Sequence, residues 1–154
     1  MSEEEKDQSE DLLPDAPQDQ LSITQHSVTI GQQEIHYTVT AGTIVLKEEQ
    51  EKDSKSDGER AKASVFFVAY TLDNTGDTAK RPITFSFNGG PGSSSVWLHL
   101  GVLGPRRVET DPQGNLLQPP YQLIENQYSV LDQTDLVFID PISTGFSRVV
   151  QGEE

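Results

Sequence analysis

Residues 87–95 read FNGGPGSSS, and they follow directly on the apolar run ITFSF at 83–87. Three glycines and a proline within residues 88–92 cannot lie inside a strand or a helix. Glycine accepts positive φ and lets a second group approach the backbone closely, whereas Pro91 fixes one φ and removes one donor. The serines at 93–95 are suited to cap a helix beginning near Val96. The stretch therefore reads as a strand, a tight turn with unpaired N–H groups and a helix start, which together make a place for negative charge on an oxygen.

Three readings of that turn compete. A phosphate loop needs G-x-x-x-x-G-K-[ST], yet no lysine lies in residues 88–103, and the dinucleotide fingerprint G-x-G-x-x-G fails on spacing. A tight turn without chemistry fits the composition. The third reading is an oxyanion-hole loop, whose backbone N–H after a strand stabilises the charge that develops on a tetrahedral intermediate.

Outward from the loop, SVFFVAYTL at 64–72 is a near-continuous apolar strand, suited to burial on both faces. Pro82 stands at the mouth of the strand 83–87, where its missing N–H does least harm. Residues 96–100 predict a short helix closed by Gly101 or Gly104. A sharp turn over 103–107, a hairpin loop in DPQGNLL at 111–117 and an irregular connection in PPYQLIENQY at 119–128 follow. LVFI at 136–139 is a short apolar strand suited to a parallel sheet interior, ending in Asp140-Pro141. Toward the N-terminus, 27–30 and 34–46 read as strands around Gly31-Gln32-Gln33. Residues 47–62 are charged, contain Asp57-Gly58 and read as a solvated loop. His26 and His36 lack close carboxylate or cysteine partners, so they read as strand-surface histidines rather than metal ligands.

NGGPGSSS, LGPRRV at 103–108, NQYSVLDQTDLVFIDP at 126–141 and TGFS at 144–147 stand in an order that resembles the serine carboxypeptidases, a branch of the α/β-hydrolases. ASVFFVAYT at 63–71 is similar to bacterial members. The resemblance implies an α/β fold, here the N-terminal part of an α/β-hydrolase sheet: two leading antiparallel strands, the oxyanion-loop strand, a crossover and a parallel strand. It also implies hydrolysis of the C-terminal peptide bond through an acyl-enzyme, with serine, histidine and carboxylate in their usual roles. Carried onto this sequence, Gly90 supplies an oxyanion N–H, while Asn88 and Gly89 bind the substrate's terminal carboxylate. Trp97 falls near a leaving-group pocket, with core packing behind the loop as its alternative. The partner so implied is a peptide with a free C-terminus, and no cofactor or metal is called for.

Departures matter as well. His99 is out of order for a hydrolase triad, and Asp140 reads as shaping its turn rather than as the triad acid. DPISTGFS is one residue shorter than the family's usual D-x-P-x-G-T-G-F-S, with Ser143 in place of the first glycine. No G-x-S-x-G occurs in the 154 residues. An α/β-hydrolase usually needs about 200–250 residues, so the expectation is a front portion, inactive alone, whose edges and apolar faces are left uncovered. The alternative is a non-catalytic peptide- or carboxylate-binding protein from a truncated gene.

Composition narrows the remaining classes. A net charge of −14 argues against a nucleic-acid partner. There is no cysteine for a disulfide or a thiolate-held metal, and no apolar run of about 18 residues for a membrane span. Hydrophobic content is 33%, low enough to expect that part of the chain is unfolded. Residues 1–20 hold eight carboxylates against one lysine, so 1–22 is expected to be an acidic disordered tail before a domain at 23–154. The N-terminus lacks the features of a signal peptide, which favours the cytoplasm if Met1 is the true start.

Overall fold

The computed structural model describes residues 17–52 and 55–150. Of the expected acidic tail, residues 1–16 lie outside the described residues, and residues 20–22 belong to the first strand instead. The fold is a mixed sheet in the order β1 (Gln20–Ile30), β2 (Gln33–Lys52), β3 (Lys55–Leu72), β7 (Asp135–Ile139) and β4 (Ile83–Ser86). A two-residue strand β8 (Arg148–Val149) pairs with β3. The first three strands run antiparallel to one another, so three strands lead rather than two. β7 is antiparallel to β3 and parallel to β4, and thus fills the interior place its sequence suits. Leu136 and Phe138 are accordingly fully buried.

Over its described residues, 47–52 and 55–62, the charged segment is not a loop. β2 and β3 continue through it as a two-stranded ribbon, with Lys47 opposite Ala61 and Glu48 opposite Arg60. Ion pairs Lys47–Glu59 at 3.7 Å and Lys62–Glu48 at 3.1 Å cross the ribbon. Solvent on both faces removes the apolar alternation by which a strand is ordinarily read, while the backbone ladder still satisfies its own donors and acceptors.

Alternation across the sheet separates two faces. Tyr37, Val68, Tyr70, Leu136 and Phe138 share one face and, with Val28, Ile35 and Leu131, form the core. Each such burial stabilises by about 1.5–3 kcal/mol. Phe67, Val137, Ile139, Ile83 and Phe85 share the other face, where Ile83 and Phe85 are exposed. β3 is therefore buried chiefly on one face, not two as its apolar run suggests.

A helix, α1 (Val96–Leu98), continues as a π-helical turn over His99–Leu103 and roofs the covered face. It ends at Gly104, whose N–H reaches the His99 carbonyl at 3.0 Å. A Cβ on Gly104 would lie 2.3 Å from that carbonyl oxygen, so close approach fixes glycine there. Beyond it, β5 (Arg106–Val108) pairs with β6 (Leu123–Glu125), giving part of the expected irregular connection a defined strand partner. The hairpin loop between them is held by Asp111, whose carboxylate accepts the Gln113 and Asn115 N–H groups.

Candidate functional site

β4 and β7 run parallel, so the segments that leave their carboxyl ends emerge at the same end of the sheet. One is the glycine loop at 87–95 and the other is the turn at 140–147. Such an end is where open α/β sheets collect their ligand-binding loops.

In the glycine loop, Gly90 has φ 74° and Gly92 has φ 89°, the left-handed region that favours glycine. The Ser93 N–H closes a turn onto the Gly90 carbonyl at 3.2 Å. Gly89 and Gly90 are exposed, and no hydrogen bond from either N–H is found among the described residues. A Cβ built on either would meet nothing within 4 Å. Asn88, Gly89 and Gly90 thus stand together on one open turn, and the two glycine N–H groups have no acceptor among the described residues.

The helix start behind the loop is not capped as the serines suggested. Ser95 makes no side-chain cap bond. Its Oγ donates to Asp140 Oδ1 at 2.8 Å, and its N–H donates to the same oxygen at 2.9 Å. Oδ2 of Asp140 accepts the Phe146 N–H at 3.1 Å. Asp140 shapes its own turn as expected, and it also reaches across to the glycine loop. Sequence reasoning missed this second role. Its trace in the sequence was a carboxylate at a strand end and a serine run after another strand, with nothing to pair them.

Trp97 is exposed and lines a groove of about 480 Å³ together with Val96, Leu100, Val108 and Leu116. That places it beside the loop and outside the core. His99 turns the other way. Its Nε2 meets the Tyr70 hydroxyl at 2.5 Å and its ring stacks on Phe138 at 4.6 Å. Burial lowers its pKa to about 4, against an opposing pull from the Asp140 charge, and burial raises that of Tyr70. A neutral, stacked, hydrogen-bonded histidine under the helix is a packing element. His26 donates to or accepts from its strand neighbour Thr24 at 2.9 Å.

The arrangement can hold an anionic oxygen on backbone donors next to an apolar groove. Ser95 is buried against Asp140, and among the described residues no hydrogen bond joins a histidine to Ser93 or Ser94.

Comparison with known proteins gives a consistent picture. A family model described as serine carboxypeptidase matches residues 44–154. The pheromone-processing carboxypeptidase KEX1 of Saccharomyces cerevisiae is 36% identical over 108 residues, which are 70% of this chain and 13% of that protein. Carboxypeptidase Y of the same yeast is 35% identical over 82 residues, covering 53% of this chain and 14% of the relative. Serine carboxypeptidase-like 36 of Arabidopsis thaliana is 33% identical over 86 residues, 55% of this chain and 16% of its own length. The crystal structure of KEX1(delta)p, a prohormone-processing carboxypeptidase from S. cerevisiae, superposes with a TM-score of 0.53 at 33% identity. That match covers 72% of this chain and 20% of the other.

Proposed function

The chain belongs to the serine carboxypeptidase family, and from that premise we propose that it supplies the oxyanion and terminal-carboxylate loop of an enzyme removing the C-terminal residue of peptides. The observation that carries the reading is the open turn 88–90, with two exposed glycines, Gly90 at left-handed φ, whose N–H groups have no acceptor among the described residues, at the carboxyl end of a parallel strand pair. In this reading the Gly90 N–H stabilises the oxygen of the tetrahedral intermediate. Asn88 offers its side-chain NH₂ and Gly89 its N–H to the substrate's terminal carboxylate, charge-assisted bonds that an amidated substrate cannot form. Trp97 and its groove receive the apolar part of the departing residue.

Bond cleavage needs a serine with a histidine beside it, and the 154 residues carry no G-x-S-x-G. The proposal therefore assigns nucleophile, base and acid to residues outside this stretch. The whole protein that carries the sequence should release single residues from peptides with free C-termini and be labelled by a serine-directed phosphonate. Residues 1–154 alone should not be labelled. Labelling of the short chain would overturn the division of roles, and a whole protein indifferent to a free C-terminus would overturn the substrate assignment.

A further inference from the structure

We propose that Asp140 is a positioning residue for the glycine loop, acting through Ser95 on the direction of the Gly90 N–H. The loop is anchored at two places, one on β7 and one just beyond its end. At its start, Ser86 is registered against Phe138 in the β4–β7 ladder. At its end, the N–H and Oγ of Ser95 both bond to Asp140, two residues past Phe138 and just beyond the end of β7. Residues 87–94 are thus slung between two fixed points, and the second is a single carboxylate.

That carboxylate is itself immobilised. The Asp140 N–H donates to the Phe66 carbonyl on β3 at 3.0 Å. Its carbonyl accepts Ser147 Oγ at 2.7 Å, and that oxygen accepts the Phe66 N–H at 2.8 Å. Asp140, Ser95 and Ser147 are all buried. A chain of bonds runs from the interior strand β3 through Ser147 and Asp140 to the loop. Room for the carboxylate comes from Gly145, where a Cβ would stand 1.8 Å from Oδ2 and 3.0 Å from the Ser94 side chain.

Three donors meet the Asp140 carboxylate, all neutral: two backbone N–H groups and one hydroxyl. No lysine or arginine pairs with it among the described residues. A carboxylate can accept all three, because both its oxygens are acceptors only. A carboxamide cannot, since its NH₂ must then face either the Ser95 or the Phe146 N–H, donor against donor. Misplacing a reacting or stabilising group by about 1 Å costs on the order of 10²-fold in rate, so loss of this anchor should reach turnover without any contact between Asp140 and substrate.

The kinetic part of this inference rests on the carboxypeptidase reading; the structural part does not. The test uses the whole protein carrying this sequence, with Asp140→Asn and Ser95→Ala, read by hydrogen exchange and by steady-state kinetics. In Asp140→Asn, the hydrogen-bonded amides of Ser93 and Ser95 should exchange about tenfold faster or more while those of β7 stay as in the parent. The kcat should fall about 10²-fold with KM changing less than tenfold. Ser95→Ala keeps the N–H bond and should show a smaller change in the same segment. Parental exchange of the amides at positions 93 and 95 in both variants would overturn the proposal. So would faster exchange that spreads equally to β7, or a KM rise with unchanged kcat. A parent without carboxypeptidase activity would sink the functional reading, yet the exchange result would still decide the role of Asp140.

Discussion

The two segments that leave the carboxyl ends of β4 and β7 use the same few residue types, and they differ in what surrounds their glycines. In the turn 140–147, Thr144 and Ser147 N–H groups bond to the carbonyls of Pro141 and Thr144, and Phe146 N–H bonds to Asp140. Arg148 closes onto the Gly145 carbonyl at 2.8 Å. In the loop 87–95, the N–H groups of Gly89 and Gly90 reach no acceptor among the described residues. Both segments hold a glycine at positive φ, yet space around Gly145 is filled by a carboxylate and space around Gly90 is empty. Polar backbone groups are normally satisfied. A turn that leaves them free at an open sheet end is one where an outside oxygen can complete the set.

The sharpest way to break this contrast is Gly90→Val in the whole protein. Its Cβ meets no protein atom, so the fold should lose only about 1–2 kcal/mol for the left-handed φ. Turnover should fall at least 10²–10³-fold, because the side chain occupies the place the oxyanion must reach. Near-parental activity would move the oxyanion donor elsewhere.

Gly145→Ala should do the reverse. Its Cβ collides with the Asp140 carboxylate, and overpacking with φ strain should lower unfolding free energy by about 3 kcal/mol. Chemical denaturation would show it; a Gly90→Ala control should lose clearly less. Equal losses at the two glycines would erase the distinction.

His99 tests the packed side by pH. Its folded-state pKa of about 4 lies below the ordinary 6.5, so both states are neutral above pH 6.5. As pH falls from 6.5 to 4 the unfolded chain takes up the proton first, and stability should decline by up to about 3 kcal/mol before this group's contribution levels off. His99→Gln, which keeps an acceptor for the Tyr70 hydroxyl, should flatten that part of a melting-temperature profile. An unchanged slope would assign it to other groups.

Asn88→Ala carries the smallest expected effect. KM for peptides with a free C-terminus should rise about tenfold, one charge-assisted bond's worth, whereas amidated analogues should be unaffected. Equal losses for both substrates would remove Asn88 from carboxylate binding.

Much of this was legible in the chain. FNGGPGSSS marks a turn between a strand and a helix because glycine and proline leave no other local structure. LVFI marks an interior strand because its residues need cover on all sides, and β7 has neighbours at both edges. The ribbon at 47–52 and 55–62 was not legible as strand, since its charged residues lack the apolar period-2 signal while cross-strand bonds persist. The helix runs past Gly101 to Gly104, because a π-helical turn lets the Gly104 N–H reach back five residues.

The division follows from the range of the forces involved. Sequence alone determined the turn, the family and the residue types offered to an anionic oxygen, since backbone conformation at glycine and proline is settled within one or two residues. Tertiary structure decided what surrounds them. Only folding brought Ser95 onto Asp140, forty-five positions away, and set His99 under the helix against Tyr70 and Phe138. Those contacts depend on β7 entering the sheet between β3 and β4. A strand's place among non-adjacent neighbours is chosen by long-range pairing and burial, which no local window of sequence contains.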